Sequence, residues 1–210
     1  MAKNKLEAYS DAIKDFDRSV ALQPNHVYSF FHRGFSKYML RRYADALPDF
    51  DRATAFDHNY QQAYYYKGLD LISMGKYKEA IIEFNGSLAV LPSHAESYYY
   101  RGEAYCLLKE NEQAIIDFTS AIKFNPQYED AYLFRGIIKS KLNRNRSAIE
   151  DFNSTIKINI KNSVAYYNRG IVFYKLKKNK EALDDWLKCE SLGNPGGRAL
   201  IDIHFGKAQP

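Results

Sequence analysis

At 210 residues and 46% hydrophobic content, the chain has the size and composition of one or two water-soluble domains, and no apolar run in it reaches membrane-spanning length. Thirty basic residues against 25 acidic ones leave a formal charge of +5, too mild to compel a nucleic-acid or membrane partner. Cys106 and Cys189 stand far apart with no metal-ligand spacing around them, which argues against a disulfide framework; together with the polar start MAKNKLEAYS, this fits a reducing, cytoplasmic setting.

The first predicted helix covers residues 5–22. Its Ala12 and Phe16 return 34 residues later as Ala46 and Phe50, and the interval then holds to the end of the chain. Gly34, Gly68, Gly102, Gly136 and Gly170 keep it; so do Ala46, Ala80, Ala114, Ala148 and Ala182, and the rings of Phe50, Phe84, Phe118, Phe152 and Trp186. Three registers kept through five copies mark a repeat architecture, in which each unit buries its apolar face against its neighbours. Placing the glycine at position eight sets full repeats at 27–60, 61–94, 95–128, 129–162 and 163–196, with a half repeat at 1–26, as one solenoid over 1–196.

Each repeat reads as two helices, A and B. In the third, helix A is expected over 94–108 and helix B over 111–124, where Ala114, Ile115, Phe118, Ala121 and Ile122 share one helical face. Asn125-Pro126 stops helix B, because proline lacks an N–H and restricts the residue before it. The glycine and alanine let paired helices cross closely, and the ring fills the space beyond. The half repeat is a B helix without its A partner, so Ile13, Phe16 or Val20 is expected to stand partly open: either the chain is a segment of a longer solenoid, or a partner or a second copy covers this end. Pro195-Gly196-Gly197 reads as a break. Beyond it, 197–210 forms a cap or a tail, with a short helix over 198–205 that closes the end or docks in a groove.

These registers closely resemble the tetratricopeptide repeat family. The family pattern of an aromatic at position 4, Ala at 20 and a small residue at 27 is met by Phe30, Tyr64, Tyr98, Tyr132 and Tyr166, by the five alanines, and by Ala53, Ser87, Ala121, Thr155 and Cys189. Position 11 departs at Lys37 and Lys139. The resemblance implies an all-α, right-handed superhelix of helix-turn-helix repeats whose A helices line a concave face, used for protein–protein interaction.

On that implied face, position 5 carries Phe31, Tyr65, Tyr99, Leu133 and Tyr167, and position 6 carries His32, Tyr66, Tyr100, Phe134 and Asn168. Position 9 carries Phe35, Leu69, Glu103, Ile137 and Ile171, and position 12 includes Tyr38 and Tyr174. The expected site is an aromatic trough for a peptide or helix of another protein, with Glu96, Glu103 and Asp130 as an acidic rim. A chaperone-tail clamp for two carboxylates needs Lys at position 5 and amides at 6 and 9. Position 5 is never Lys, which argues against that partner.

Two charged registers remain. Position 7 (Arg33, Lys67, Arg101, Arg135, Arg169) faces position 23 (Asp49, Glu83, Asp117, Asp151, Asp185), an internal ion-pair ladder rather than a basic stripe for an acidic partner, each pair valued as an exposed one at about 0–1 kcal/mol. The A–B turns carry Arg41 and Arg42, Lys76 and Lys78, Arg144 and Arg146, and Lys177 and Lys178, a basic edge open to RNA phosphates or an acidic peptide; neighbouring acids such as Glu79 and Glu112 weigh against nucleic acid. No cofactor is expected. His26, His32, His58, His94 and His204 lack metal-site spacing, and no phosphate loop or nucleophile elbow occurs, so the chain reads as a non-enzyme.

Overall fold

A computed structural model describes residues 2–206; Met1 and the last four residues of the expected tail, 207–210, lie outside it. The described residues form twelve α-helices and no strand. Helix α1 spans Ala2–Leu22. The A helices are α2 (Val27–Met39), α4 (Gln61–Ser73), α6 (Ala95–Leu107), α8 (Glu129–Lys141) and α10 (Ser163–Lys175). The B helices are α3 (Tyr43–Phe56), α5 (Tyr77–Val90), α7 (Asn111–Phe124), α9 (Asn145–Ile158) and α11 (Asn179–Ser191), and α12 covers Pro195–Phe205. The chain divides into two compact bodies, Met1–Asp117 and Phe118–Pro210. In the N-terminal body α1 packs on α2, α2 on α3, α3 on α4, α4 on α5 and α5 on α6; in the C-terminal body α8 packs on α9, α9 on α10, α10 on α11 and α11 on α12.

Every A helix ends in the same way. Arg41, Gly75, Lys109, Asn143 and Lys177, all at position 15, adopt left-handed backbone with φ between 58° and 75°. This turns the next N–H back onto the carbonyl five residues earlier, as in Lys76 N to Leu71 O at 2.8 Å and Arg144 N to Lys139 O at 2.8 Å, satisfying carbonyls the helix leaves unpaired. Four of the five are not glycine, at a cost of about 1–2 kcal/mol each.

The predicted close crossing is present. Ala46, Ala80, Ala114, Ala148 and Ala182 and the rings of Phe50, Phe84, Phe118, Phe152 and Trp186 are wholly inaccessible. A Cβ at Gly68 would lie 2.7 Å from the Phe84 ring, and those at Gly34 and Gly136 would meet Phe50 and Phe152 as closely. Gly68→Leu is therefore expected to destabilise the fold by about 3 kcal/mol, at the upper end of ordinary overpacking. A urea melt within error of wild type would show that α4 and α5 can part at no cost.

The C-terminal end differs from expectation. Pro195, Gly196 and Gly197 are the first turn of α12 rather than a break. Proline occupies the start of the helix, where its missing N–H costs nothing, and Asn194 Oδ1 accepts from Gly196 N at 3.0 Å. Gly197 is buried against the Trp186 carbonyl oxygen, a contact no side chain could tolerate. Ile201 enters the cluster of Ala182 and Trp186, while His204 stacks on Trp186 at 5.6 Å. α12 is thus a cap. At the other end Ile13 is buried, whereas Phe16 and Val20 are half-buried.

Candidate protein-interaction site

In the N-terminal body, helical spacing brings the rings of α2, α4 and α6 into one connected layer. Tyr66 is its centre: Phe35 meets it edge-on at 5.0 Å, Tyr38 at 5.5 Å and Tyr65 at 5.2 Å. Tyr65 continues to Tyr100 at 5.9 Å, and Tyr100 to Tyr99 at 5.0 Å. Tyr66 and Tyr100 each stack on the buried phenylalanine of the preceding B helix, Phe50 and Phe84. Such edge-to-face and stacked pairs add about 0.5–1.5 kcal/mol each beyond the area they bury. The layer is therefore stiff before any ligand arrives.

The expected trough is thinner than the sequence suggests. Phe31, Leu69 and Tyr99 are buried among the helices and offer a ligand little surface, whereas Phe35, Tyr38, Tyr65, Tyr66, Tyr100 and Glu103 are half-buried. Position-5 rings lean on the paired B helix, Phe31 at 6.0 Å from Phe50 and Tyr65 at 6.2 Å from Phe84, and of the three in this body only Tyr65 keeps partial exposure. In the C-terminal body Phe134 is exposed and stacks on Phe118 at 6.2 Å, and Ile137 packs half-buried beside the Phe152 cluster. Asn168 donates to the Val164 carbonyl of its own helix. Tyr167, Ile171 and Tyr174 are occupied at the cap: Tyr167 presses on Gly196, Ile171 joins the Ile201 cluster, and Tyr174 holds His204 at 4.1 Å.

One residue of this region was not singled out from the sequence. Asp70 is fully buried in α4, and neither carboxylate oxygen has a hydrogen-bond partner. Burial pushes its pKa up to about 8. The Tyr38 hydroxyl is raised to about 12 by its own burial, then by Tyr100, Tyr43, Tyr66 and Asp70. A polar residue at an otherwise small or apolar position (Ser36, Ala104, Ile138 and Val172 are its equivalents) was the signal available.

The charged ladder is a three-helix clamp. Arg101 donates from Nε and Nη2 to Asp117, and from Nη1 to Asn85 on the preceding B helix; Arg169 does the same with Asp185 and Asn153. Arg33 joins Asp49 and Asp17, Lys67 joins Glu83 and Asp51, and Arg135 joins Asp151 and Thr119. The position-23 carboxylates are at most 13% exposed, so the ladder is internal as expected, and the small worth expected of exposed pairs does not apply to it. Four of the guanidinium groups also lie over the position-4 rings, such as Arg101 over Tyr98 at 5.4 Å. The two departures at position 11 are explained: Lys37 donates to Asp49 and Lys139 to Asp151.

A tetratricopeptide repeat family model matches residues 65–129, spanning the second and third repeats. These are tetratricopeptide repeats. Solved structures agree on the fold. A crystal structure of MamA superposes with a TM-score of 0.73 at 24% identity, covering 76% of this chain and 94% of that one. A MamA structure from Desulfovibrio magneticus RS-1 gives 0.70 at 20% identity over 77% and 92%. YrrB, described as a TPR protein with an unusual peptide-binding site, gives 0.75 at 19% identity over 84% and 91%. No curated protein matches the sequence. Family and fold together support a protein-interaction scaffold in general terms.

The A–B turns carry the basic edge. Arg41, Arg42, Lys76, Lys78, Arg144, Arg146, Lys177 and Lys178 are all exposed. Several are paired locally, Arg42 with Asp45 at 2.8 Å and Lys76 with Glu79 at 3.5 Å. No helix among the described residues is long and apolar enough to cross a membrane.

Proposed function

We propose that the chain is an adaptor that captures an apolar peptide or helix of a partner protein on the A-helix face of its N-terminal body. The observation that carries this reading is the pre-packed layer of half-buried rings around Tyr66, which offers aromatic surface with little side-chain entropy left to lose. Tyrosine hydroxyls at its rim would orient the bound backbone, and Glu103 would favour a basic residue in the ligand. YrrB, with a peptide-binding site on the same fold, is in line with this reading.

Selection of peptides from a displayed library tests it. Wild type should enrich sequences with aromatic or aliphatic anchors. Tyr66→Ala and Tyr100→Ala should each weaken the selected peptide at least about tenfold, the loss of one hot-spot ring, while helix content by circular dichroism stays unchanged. Retained affinity in both folded variants would reject the site.

A second reading, self-association through α1, draws on one contrast. Phe16 is half-buried and Ala12 likewise, whereas their equivalents Phe50 and Ala46 are wholly buried. Mass that rises with concentration in light scattering, and falls back in Phe16→Glu, would favour it.

A further inference from the structure

We propose that the C-terminal body carries a second binding site, a pocket at the turn edge of the fourth and fifth repeats that takes an acidic peptide with an apolar anchor. The pocket has a volume of about 860 Å³. Its cations are Arg144, Arg146 and Lys178; its apolar floor is Ile149, Phe173 and Leu176. It uses none of the residues of the ring layer.

The other repeats act as internal controls. B helices α3, α5, α7 and α11 each hold an acid in the first turn, namely Asp45, Glu79, Glu112 and Glu181. α9 has none. At the position of Asp45, Glu79 and Glu181 it has Ser147, whose hydroxyl donates to the Arg144 carbonyl at 3.1 Å. The N-cap residue of α9 makes no side-chain capping bond either. The first turn of α9 thus lines the pocket with no capping bond from its N-cap side chain and no acid of its own to complement the positive end of the helix dipole. A carboxylate from outside would stand where the other repeats supply their own.

The same comparison explains the volume. The equivalent cavity between the first and second repeats is about 380 Å³, and Tyr43 and Asp45 line it. In the fourth repeat these positions are Asn145 and Ser147, and Ala44 is replaced by Arg146. A ring and an acid are gone, and a cation is added. Arg146 makes no ion pair among the described residues, while Lys178 reaches Glu181 only at 3.7 Å and lies 5.8 Å over the Phe173 ring. Charge complementarity thus selects an acidic ligand, and the floor selects an aliphatic or aromatic side chain. Glu150 also lines the pocket and opposes any anion beside it, so the ligand's carboxylates belong at Arg146 and Lys178; the apolar floor, which suits a leucine side chain, favours a peptide over a nucleic acid.

The test uses fluorescence anisotropy on the whole chain with a labelled Glu-Glu-Leu-Leu-Glu-Glu peptide. Saturable binding is expected, weakened by salt. Ser147→Asp, which restores the acid of the other repeats, should lower affinity at least about tenfold, as should the exposed double reversal Arg146→Glu/Lys178→Glu. Tyr66→Ala should leave it unchanged, which separates this site from the proposed groove. The proposal is overturned if Ser147→Asp binds as wild type, if a Gln-Gln-Leu-Leu-Gln-Gln or Glu-Glu-Ser-Ser-Glu-Glu peptide binds equally well, if Tyr66→Ala abolishes binding, or if a labelled oligouridylate binds more tightly than the acidic peptide.

Discussion

Asp70→Ala is expected to make the protein more stable, by about 3 kcal/mol at pH 7, the cost of holding a buried carboxyl some three pH units above its ordinary pKa less the small cavity left behind. The side chain is wholly buried with both oxygens unpartnered, and its pKa in the fold stands at about 8 against 3.8 in the unfolded chain. The folded state therefore holds a proton that the unfolded state has released everywhere between those two values. Stability falls as pH rises through that window and levels off above it. The alanine variant has no such slope. Urea melts at a series of pH values should show the alanine variant slightly the less stable near pH 3, where only the cavity counts, and increasingly the more stable toward pH 8. A difference that does not change with pH, or a variant destabilised at pH 7, would mean that Asp70 has a partner in solution. Alanine is the natural replacement, since Ala104 fills the equivalent position of the third repeat with no exposed surface.

Asp151→Ala works in the opposite direction and is expected to cost about 3–5 kcal/mol, the usual consequence of stranding buried charge. Asp151 receives Arg135 through Nε at 3.0 Å and Nη2 at 2.6 Å, and Lys139 at 2.8 Å. The side chains of both cations are at most 16% exposed, so water cannot take over the lost carboxylate without opening α8 from α9. The double variant Asp151→Ala/Lys139→Leu should recover a substantial part of the loss, because it removes one stranded cation and restores the apolar residue that Leu71 and Phe173 supply at the same position elsewhere. Melting temperatures of the two variants decide the matter. If the single variant melts with wild type, the clamp is ornamental to stability and only sets the register of the repeats.

The glycines, alanines and rings at a constant interval sufficed to give the repeat period, the helix pairs and the close crossings, because those are sterically enforced contacts between residues of one unit and each copy repeats the evidence. The third repeat's B helix, Asn111–Phe124, lies where it was expected, since a ring, an alanine and a proline-stopped end leave it no other register. The ion-pair ladder was legible as an internal pattern, but its weight was not: that required seeing each position-7 cation reach back to the preceding B helix while its carboxylate partner sank between the helices. The candidate trough was over-read for the same reason. Position 5 and position 6 are adjacent in the sequence, yet Tyr99 is buried and Tyr100 half-open, because the angle between paired helices, rather than residue type, fixes which ring faces out. At the C-terminus Pro195-Gly196-Gly197 has the composition of a break, and only the fit of Gly197 against the Trp186 carbonyl turns it into the start of a cap. Local chemistry and periodicity thus dictated which helices form and how they pair. Exposure, desolvation of Asp70 and the open pocket beside Ser147 depended on how much space neighbouring helices leave, a property that belongs to packed surfaces and to no single stretch of chain.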